Sequence, residues 1–396
     1  MISVVGGTYR EIDYDDISLD IYGSGYRCCK FLLENKCSVN YYTSGNEEVE
    51  KYLKEIAKVY TNFDFQLTES DDLITFKYSF ALDTPNIFPN ILNIKKTKNI
   101  KVESDNIICY GMLETDCNIN GKKVIYDPQT SLKPKKYSEI GVAEELIYIV
   151  NMNEAKSISA QEDLEEIKKY FFNNENAYAV IIKNGPYGAK LILKSNQEFE
   201  IPSFVTENVN KIGSGDVFTS SFGYYWMNKN LPLEECAILA SKTTSLYCDK
   251  KVYIDVQDYE YTFTAFKNIS IREKQIYLAA PFFSIAELIL VDKIRNAFLE
   301  FGVKVFSPFH DIGLGNTETI ALKDLQGIKD SDIIFCILDN LDSGTLIESG
   351  FSLAMNKQII GYHRTCEDYE LLMLKPGNSK IFKHLTTAIY HTIWNL

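Results

Sequence analysis

Short apolar runs recur along the whole chain, separated by longer stretches in which apolar residues return with helical spacing. Residues 2–7 (ISVVGG), 123–128 (KVIYDP), 146–151 (LIYIVN) and 177–185 (AYAVIIKNG) form one series. Residues 275–283 (QIYLAAPFF), 303–309 (VKVFSPF), 332–339 (DIIFCILD) and 357–363 (KQIIGYH) form a second. The runs are rich in β-branched and aromatic residues, and amphipathic stretches such as residues 285–301 lie between them. That alternation predicts parallel strands buried on both faces, hence an α/β chain.

Between residues 261 and 274 (YTFTAFKNISIREK) the pattern loses its period and turns polar, and a fresh strand signature starts at Gln275. The reading is a first domain over 1–266, a linker over 267–274 and a second domain over 275–396. The second domain restarts with its own strand, helix, strand order, which predicts a small doubly wound sheet with a site at the carboxyl ends of its strands. Residues 75–99, polar and with two prolines, are expected to form a flap or lid over the first site. No repeat of about 20 to 50 residues is visible, which removes solenoids and propellers.

Composition narrows the function. The chain has 396 residues, 45% hydrophobic and 24% charged, and a formal net charge of −13. At roughly 150 residues per domain this suits two packed units, and the acidic balance disfavours general binding of nucleic acid. No run of about 18 apolar residues is present, so no membrane-spanning helix is expected. The first residues lack the basic-then-apolar order of a signal peptide. Nine cysteines without zinc-like spacing read as buried reduced thiols of a cytoplasmic protein.

In the first domain, residues 211–226 (KIGSGDVFTSSFGYYW) carry the most chemistry. Gly213, Ser214 and Gly215 allow close backbone approach, and the run from Val217 has helical spacing, so a helix is expected to start here. Its amides and dipole can hold an anion and support the charge that develops in phosphoryl transfer. Asp216, beside that anion hole, is placed to take a proton from an attacking hydroxyl. The plainer alternative is a capped turn, since glycine followed by aspartate is common in loops.

This string resembles the carboxy-terminal signature of the ribokinase/PfkB family of sugar and nucleoside kinases. Residues 2–7, the YDPQ at 126–129, the N-x-x-E element of Asn151 and Glu154, residues 181–191 (IIKNGPYGAKL) and the helix at 231–240 match in order. The resemblance implies a ribokinase-like central sheet with helices on both faces. It also implies Asp216 as base, an anion hole of Gly213, Ser214 and Gly215, and ATP along Asn184, Gly185 and Gly188. Asn151 and Glu154 would position Mg²⁺ and phosphate, although a helix-capping pair explains them equally simply. Two departures stand out: Cys28 falls where the family has an asparagine near the sugar, and Asn210 with Lys211 replaces an acidic-threonine pair. Asp13 and Arg27 are the remaining candidates for touching the acceptor.

In the second domain, Asp324, Asp339, Asp342 and Glu348 are expected near one strand end, within residues 324–357. Crowded like charges are costly unless they bind something or share protons, so the cluster reads as a site. The alternative is a solvated rim with Thr345 and Glu348 forming a capping box. Ser349, Gly350 and Ala354 are expected to let the helix pack closely. This string, with residues 275–283 and 307–315 (SPFHDIGLG), resembles the nucleoside 2-deoxyribosyltransferase family and its N-glycosidase relatives. The resemblance implies a small flavodoxin-like sheet. It makes Glu348 the nucleophile on the anomeric carbon, Tyr277 its neighbour, Asp324 a base-side acid, and Asn378 a contribution from a neighbouring subunit of a homo-oligomer. Asp342 would meet a free 5′-hydroxyl, because it would repel a phosphate about 4 Å away by roughly 1 to 4 kcal/mol. A lone histidine such as His310 is more often structural.

Together these features lead to a bifunctional enzyme of nucleoside metabolism. One domain cleaves or exchanges the N-glycosidic bond of a (deoxy)nucleoside, and the other phosphorylates a pentose or nucleoside with ATP. Two variants stay open: a kinase whose product the glycosidase destroys, and a degenerate kinase domain serving as a nucleotide sensor.

Overall fold

The computed structural model describes residues 1–130, 132–267, 273–313 and 318–396. Most of the expected linker, and the last two residues of the 307–315 motif, lie outside the described residues. The chain divides into two compact units, Met1–Tyr78 with Pro85–Phe266, and Lys267–Leu396 with the short piece Ser79–Thr84.

The first unit is built on a nine-stranded sheet in the order Glu198–Ile201, Ala189–Leu193, Ala179–Lys183, Gly141–Asn151, Cys117–Asp127, Ile100–Tyr110, Ile2–Val5, Val39–Gly45, Phe63–Glu69. From Ala179–Lys183 to Phe63–Glu69 neighbours are parallel. The two strands at the other edge are antiparallel, joined by tight turns that the apolar runs alone do not distinguish from crossovers. Successive side chains point to opposite faces, so Ile108 and Tyr110 enter one core while Ile107 and Cys109 enter the other. Helices Gly23–Glu34, Ser214–Gly223 and Leu233–Lys250 cover the first face, and Met152–Ser159 with Leu164–Asn173 the second.

A separate four-stranded sheet orders Ser18–Ile21, Arg10–Asp13, Thr75–Tyr78 and Asn86–Phe88. Only two of its strands come from the expected lid segment. Arg10–Asp13 and Ser18–Ile21 are short and half polar, with little buried surface, and therefore carry no strand signature.

In the second unit all five strands are parallel, in the order Lys304–Phe306, Gln275–Ala279, Ile333–Ile337, Gln358–Tyr362, Ser379–Phe382. Numbered within the unit this is 2-1-3-4-5, the flavodoxin-like arrangement, with a crevice expected where the order reverses. Helix Ser343–Ala354 packs on this sheet through Thr345, Ser349 and Ser352. Gly350 and Ala354 are exposed instead, so of the three small residues only Ser349 serves close packing.

Candidate functional site

Gly213 caps helix Ser214–Gly223 with φ +78°, a conformation that strains any residue with a side chain. A Cβ there would also lie 2.1 Å from Arg27 Nε. The Ser214 amide donates back to the Lys211 carbonyl at 3.0 Å, whereas the amides of Gly215 and Asp216 have no acceptor among the described residues. These open donors, at the positive end of the helix, form a cup suited to an anion. The Ser214 amide, expected in the hole, is turned inward.

Asp216 is buried in the first turn of the helix. Its Oδ2 accepts from Arg27 Nη1 at 2.7 Å, and Arg27 also binds both oxygens of Glu11. Arg27 is 2% exposed, so the three charges form an internal cluster. Burial raises the Asp216 pKa and outweighs Arg27, which lowers it, while Glu11 and Asp127 push it further up. Cys28, expected at the acceptor, is fully buried in the first core near Tyr110. Its neighbour Arg27 reaches the site instead, because a one-residue step along a helix rotates the side chain by about 100°. Asp13 Oδ1 accepts from the Asp15 amide in its own turn.

The sequence reading did not single out Lys183. Its Nζ binds Asp127 Oδ2 at 2.8 Å, and that oxygen also accepts from Thr219 Oγ1 at 2.8 Å. A Cβ built on Gly215 would meet Lys183 Nζ at 3.8 Å and no other atom within 4 Å, which puts this ammonium at the cup. Asn151 and Glu154 form a capping box with reciprocal 2.8 Å bonds at the start of helix Met152–Ser159. Burial lifts Glu154 to about 7, with Lys183 opposing and Asp127 adding to the rise. The side chains here do not fit the magnesium ion that the resemblance implies as directly bound metal. Asp127 is taken by Lys183 and Thr219, and Glu154 Oε2 by the Asn151 amide. No cluster of three His, Cys, Asp or Glu among the described residues suits a metal.

Asn184, Gly185 and Gly188 lie in the tight turn between Ala179–Lys183 and Ala189–Leu193, closed by Asn184 N–H to the Gly188 carbonyl at 2.8 Å. Gly188, at φ +97°, would place a Cβ 2.0 Å from the Ile201 carbonyl oxygen, so the glycine serves the turn itself. Near the lid, Tyr9 donates to Glu114 Oε2 at 2.8 Å, and Glu114 Oε1 is buried without a partner. Glu11 and Glu114 gave no sequence signal; an isolated glutamate in a polar stretch looks like any surface residue.

In the second unit Tyr277, from the strand Gln275–Ala279, donates to Glu348 Oε1 at 2.7 Å. The Tyr277 ring stacks on Phe306 with centroids 5.5 Å apart, which fixes the direction of that bond. Burial lifts the Glu348 pKa to about 7; Tyr277 opposes the rise, and Asp324 and Asp342 add to it. Asp324, on helix Glu318–Asp330, is pushed up by burial, and its Oδ1 is buried without a partner. Asp342 caps helix Ser343–Ala354 by accepting at Oδ2 from Thr345 N–H at 2.8 Å and from its hydroxyl at 3.0 Å. The alternative of a Thr345–Glu348 capping box is therefore absent: Asp342 is the cap, and Glu348 is free to face Tyr277.

Asp339, Asn378 and His310 each bond a neighbour within the second unit. Asp339 Oδ1 holds the loop after Gln358–Tyr362 through the amides of Arg364 and Thr365 at 2.8 and 3.0 Å. Asn378 is exposed and donates to Gln358 Oε1 at 3.3 Å. His310 is held between Ser307 and Asp292, at 3.0 and 2.8 Å, in a structural bridge.

An amide-lined cup beside a buried aspartate in one unit, and a buried glutamate pinned by a tyrosine in the other, define a chain with two distinct catalytic-type domains. The comparisons agree. The pfkB family carbohydrate kinase model matches residues 94–256, and the nucleoside 2-deoxyribosyltransferase model matches residues 276–382. The chain carries a PfkB-type kinase domain and a nucleoside 2-deoxyribosyltransferase-like domain. Among solved structures, a ribokinase from Thermotoga maritima shares 15% identity over 63% of this chain and 93% of its own, with a TM-score of 0.47. A fructokinase from Vibrio cholerae O395 shares 12% over 63% of this chain and 94% of its own, with a TM-score of 0.45. No curated protein matches the chain.

Proposed function

We propose that the chain joins two steps of nucleoside chemistry. In the second unit the ionised Glu348 attacks C1′ of a (deoxy)nucleoside; the C1′–N bond breaks and the sugar becomes an ester of Glu348. The departing base takes a proton from Asp324, whose carboxyl group burial favours in its neutral form. Water or a second base then opens the ester. The observation that carries this reading is the 2.7 Å Tyr277–Glu348 bond, which aims a desolvated carboxylate with Asp324 close enough to raise its pKa. Asp342 keeps one oxygen for a substrate hydroxyl beyond the one used in its cap. Exposed Asn378 suits a role across a homo-oligomer interface.

In the first unit ATP lies along the turn of Asn184, Gly185 and Gly188, and the Gly215 and Asp216 amides hold the transferred phosphoryl group. Asp216 takes the proton of a pentose or nucleoside hydroxyl through Oδ1, the oxygen that Arg27 leaves unused. Glu11 and Arg27, bonded beside Asp216, line the acceptor side. A sugar freed by one domain would then be trapped as a phosphate by the other. No helix among the described residues is long and apolar enough to cross a membrane, in keeping with a cytoplasmic setting.

A second reading is favoured by one observation, the buried Arg27–Asp216 pair: a base held by a cation suits a nucleotide sensor. Incubating the protein with a panel of nucleosides, with and without ATP, and weighing the products separates the two. Base release and a phosphorylated sugar support two enzymes; ATP binding without transfer supports the sensor.

A further inference from the structure

Two ammonium groups lie at the cup, and one of them makes no ion pair among the described residues. Lys211 Nζ bonds Ser214 Oγ and makes no ion pair within the described residues. Lys183, paired with Asp127, stands beside Gly215. The two sense each other: burial lowers the Lys211 pKa and Lys183 lowers it further, against the opposing pull of Cys248 and Asp216. A cation at the amino end of a helix opposes the dipole, and a second cation adds repulsion. An anion seated on the Gly215 and Asp216 amides would relieve both. Of the carboxylates nearby, Asp127 Oδ2 is meanwhile engaged by Lys183 and Thr219, and Glu154 Oε2 by the Asn151 amide.

We propose that Lys211 and Lys183 grip the phosphate tail of the phosphoryl donor and supply the positive charge there, so that a bare polyphosphate enters the cup without a divalent metal. The inference rests on the kinase reading of this unit and adds to it the donor chemistry of the site. Lys183 shares its charge between Asp127 and the incoming phosphate; Lys211 gives its charge to the phosphate alone.

Isothermal titration of inorganic pyrophosphate into the full-length protein in EDTA reads this directly. Wild type binds, and Lys211→Thr and Lys183→Met each weaken binding by about tenfold or more. Lys101→Met, on an exposed strand position, binds as wild type does. Lys183→Met strands the buried Asp127, so its melting is followed in parallel; Lys211→Thr breaks no ion pair and carries the test on its own. Unchanged binding by Lys211→Thr, or binding by wild type only after magnesium is added, overturns the proposal. Transfer from ATP to the acceptor panel is measured separately. Its absence while pyrophosphate still binds removes the kinase reading and leaves the cation site standing.

Discussion

Arg27 Nη1 lies 2.7 Å from Asp216 Oδ2, and the same guanidinium reaches across to Glu11. With Arg27 at 2% exposure, removing it leaves two carboxylates without their cation in a place where water is scarce. Arg27→Ala is expected to lower stability by about 3–5 kcal/mol. Urea unfolding of the variant checks this. A loss below about 1 kcal/mol would mean that solvent, and not the guanidinium, neutralises the cluster.

Burial holds the Glu348 proton to about pH 7, against an ordinary value of 4.5. The nucleophile must be ionised, so base release should climb as pH rises through about 7. Tyr277→Phe removes the hydrogen bond that favours the ionised form and should move that midpoint upward. The shift has the opposite effect on stability. A proton held more tightly in the folded state favours folding fully below about 4.5, and that contribution is lost as pH rises through about 7. Glu348→Gln should therefore lose base release yet melt higher than the parent at pH 8, by a stability gain on the order of 1–3 kcal/mol. A variant that melts lower at pH 8 would show that the charge is welcome where it sits.

Gly213 and Gly215 stand two positions apart and should respond differently. Gly213→Ala meets both a positive φ and the Arg27 side chain, while Gly215→Ala meets only Lys183 Nζ at 3.8 Å. Chemical denaturation should show a loss of about 1–3 kcal/mol for the first and under about 1 kcal/mol for the second. Equal losses would remove the strain argument.

Asp342→Ser keeps a good helix cap, so stability should change by less than about 0.5 kcal/mol. The same change removes a negative charge from the expected position of the 5′ group. Cleavage of nucleoside 5′-monophosphates should improve about tenfold relative to nucleosides, as comparison of kcat/KM on both substrates would show. If the parent already cleaves monophosphates as well as the variant does, the first domain's product is the second domain's substrate.

The buried strands were legible because each is a short β-branched run, and every one of the eight runs named at the outset contributes a strand. The lid was half legible, because strands that bury little surface need no apolar run. The cup was visible in the glycines around Asp216, whose freedom no other residue supplies. Lys183 was hidden in a strand end, where a lysine reads as a solvated terminus, and Arg27 was a visible candidate whose bonds to Asp216 and Glu11 were not.

By itself the order of residues determined the α/β class, the two sheets and the pairing of glycine cup with aspartate, since these follow from periodicity and local backbone freedom. Only the folded chain decided which charges meet. Arg27 finds Asp216 across 189 positions, and Lys183 finds Asp127 across 56. Such partners are chosen by the direction in which each strand and helix presents a side chain, and by the cost of burying a charge alone; neither is written in local spacing.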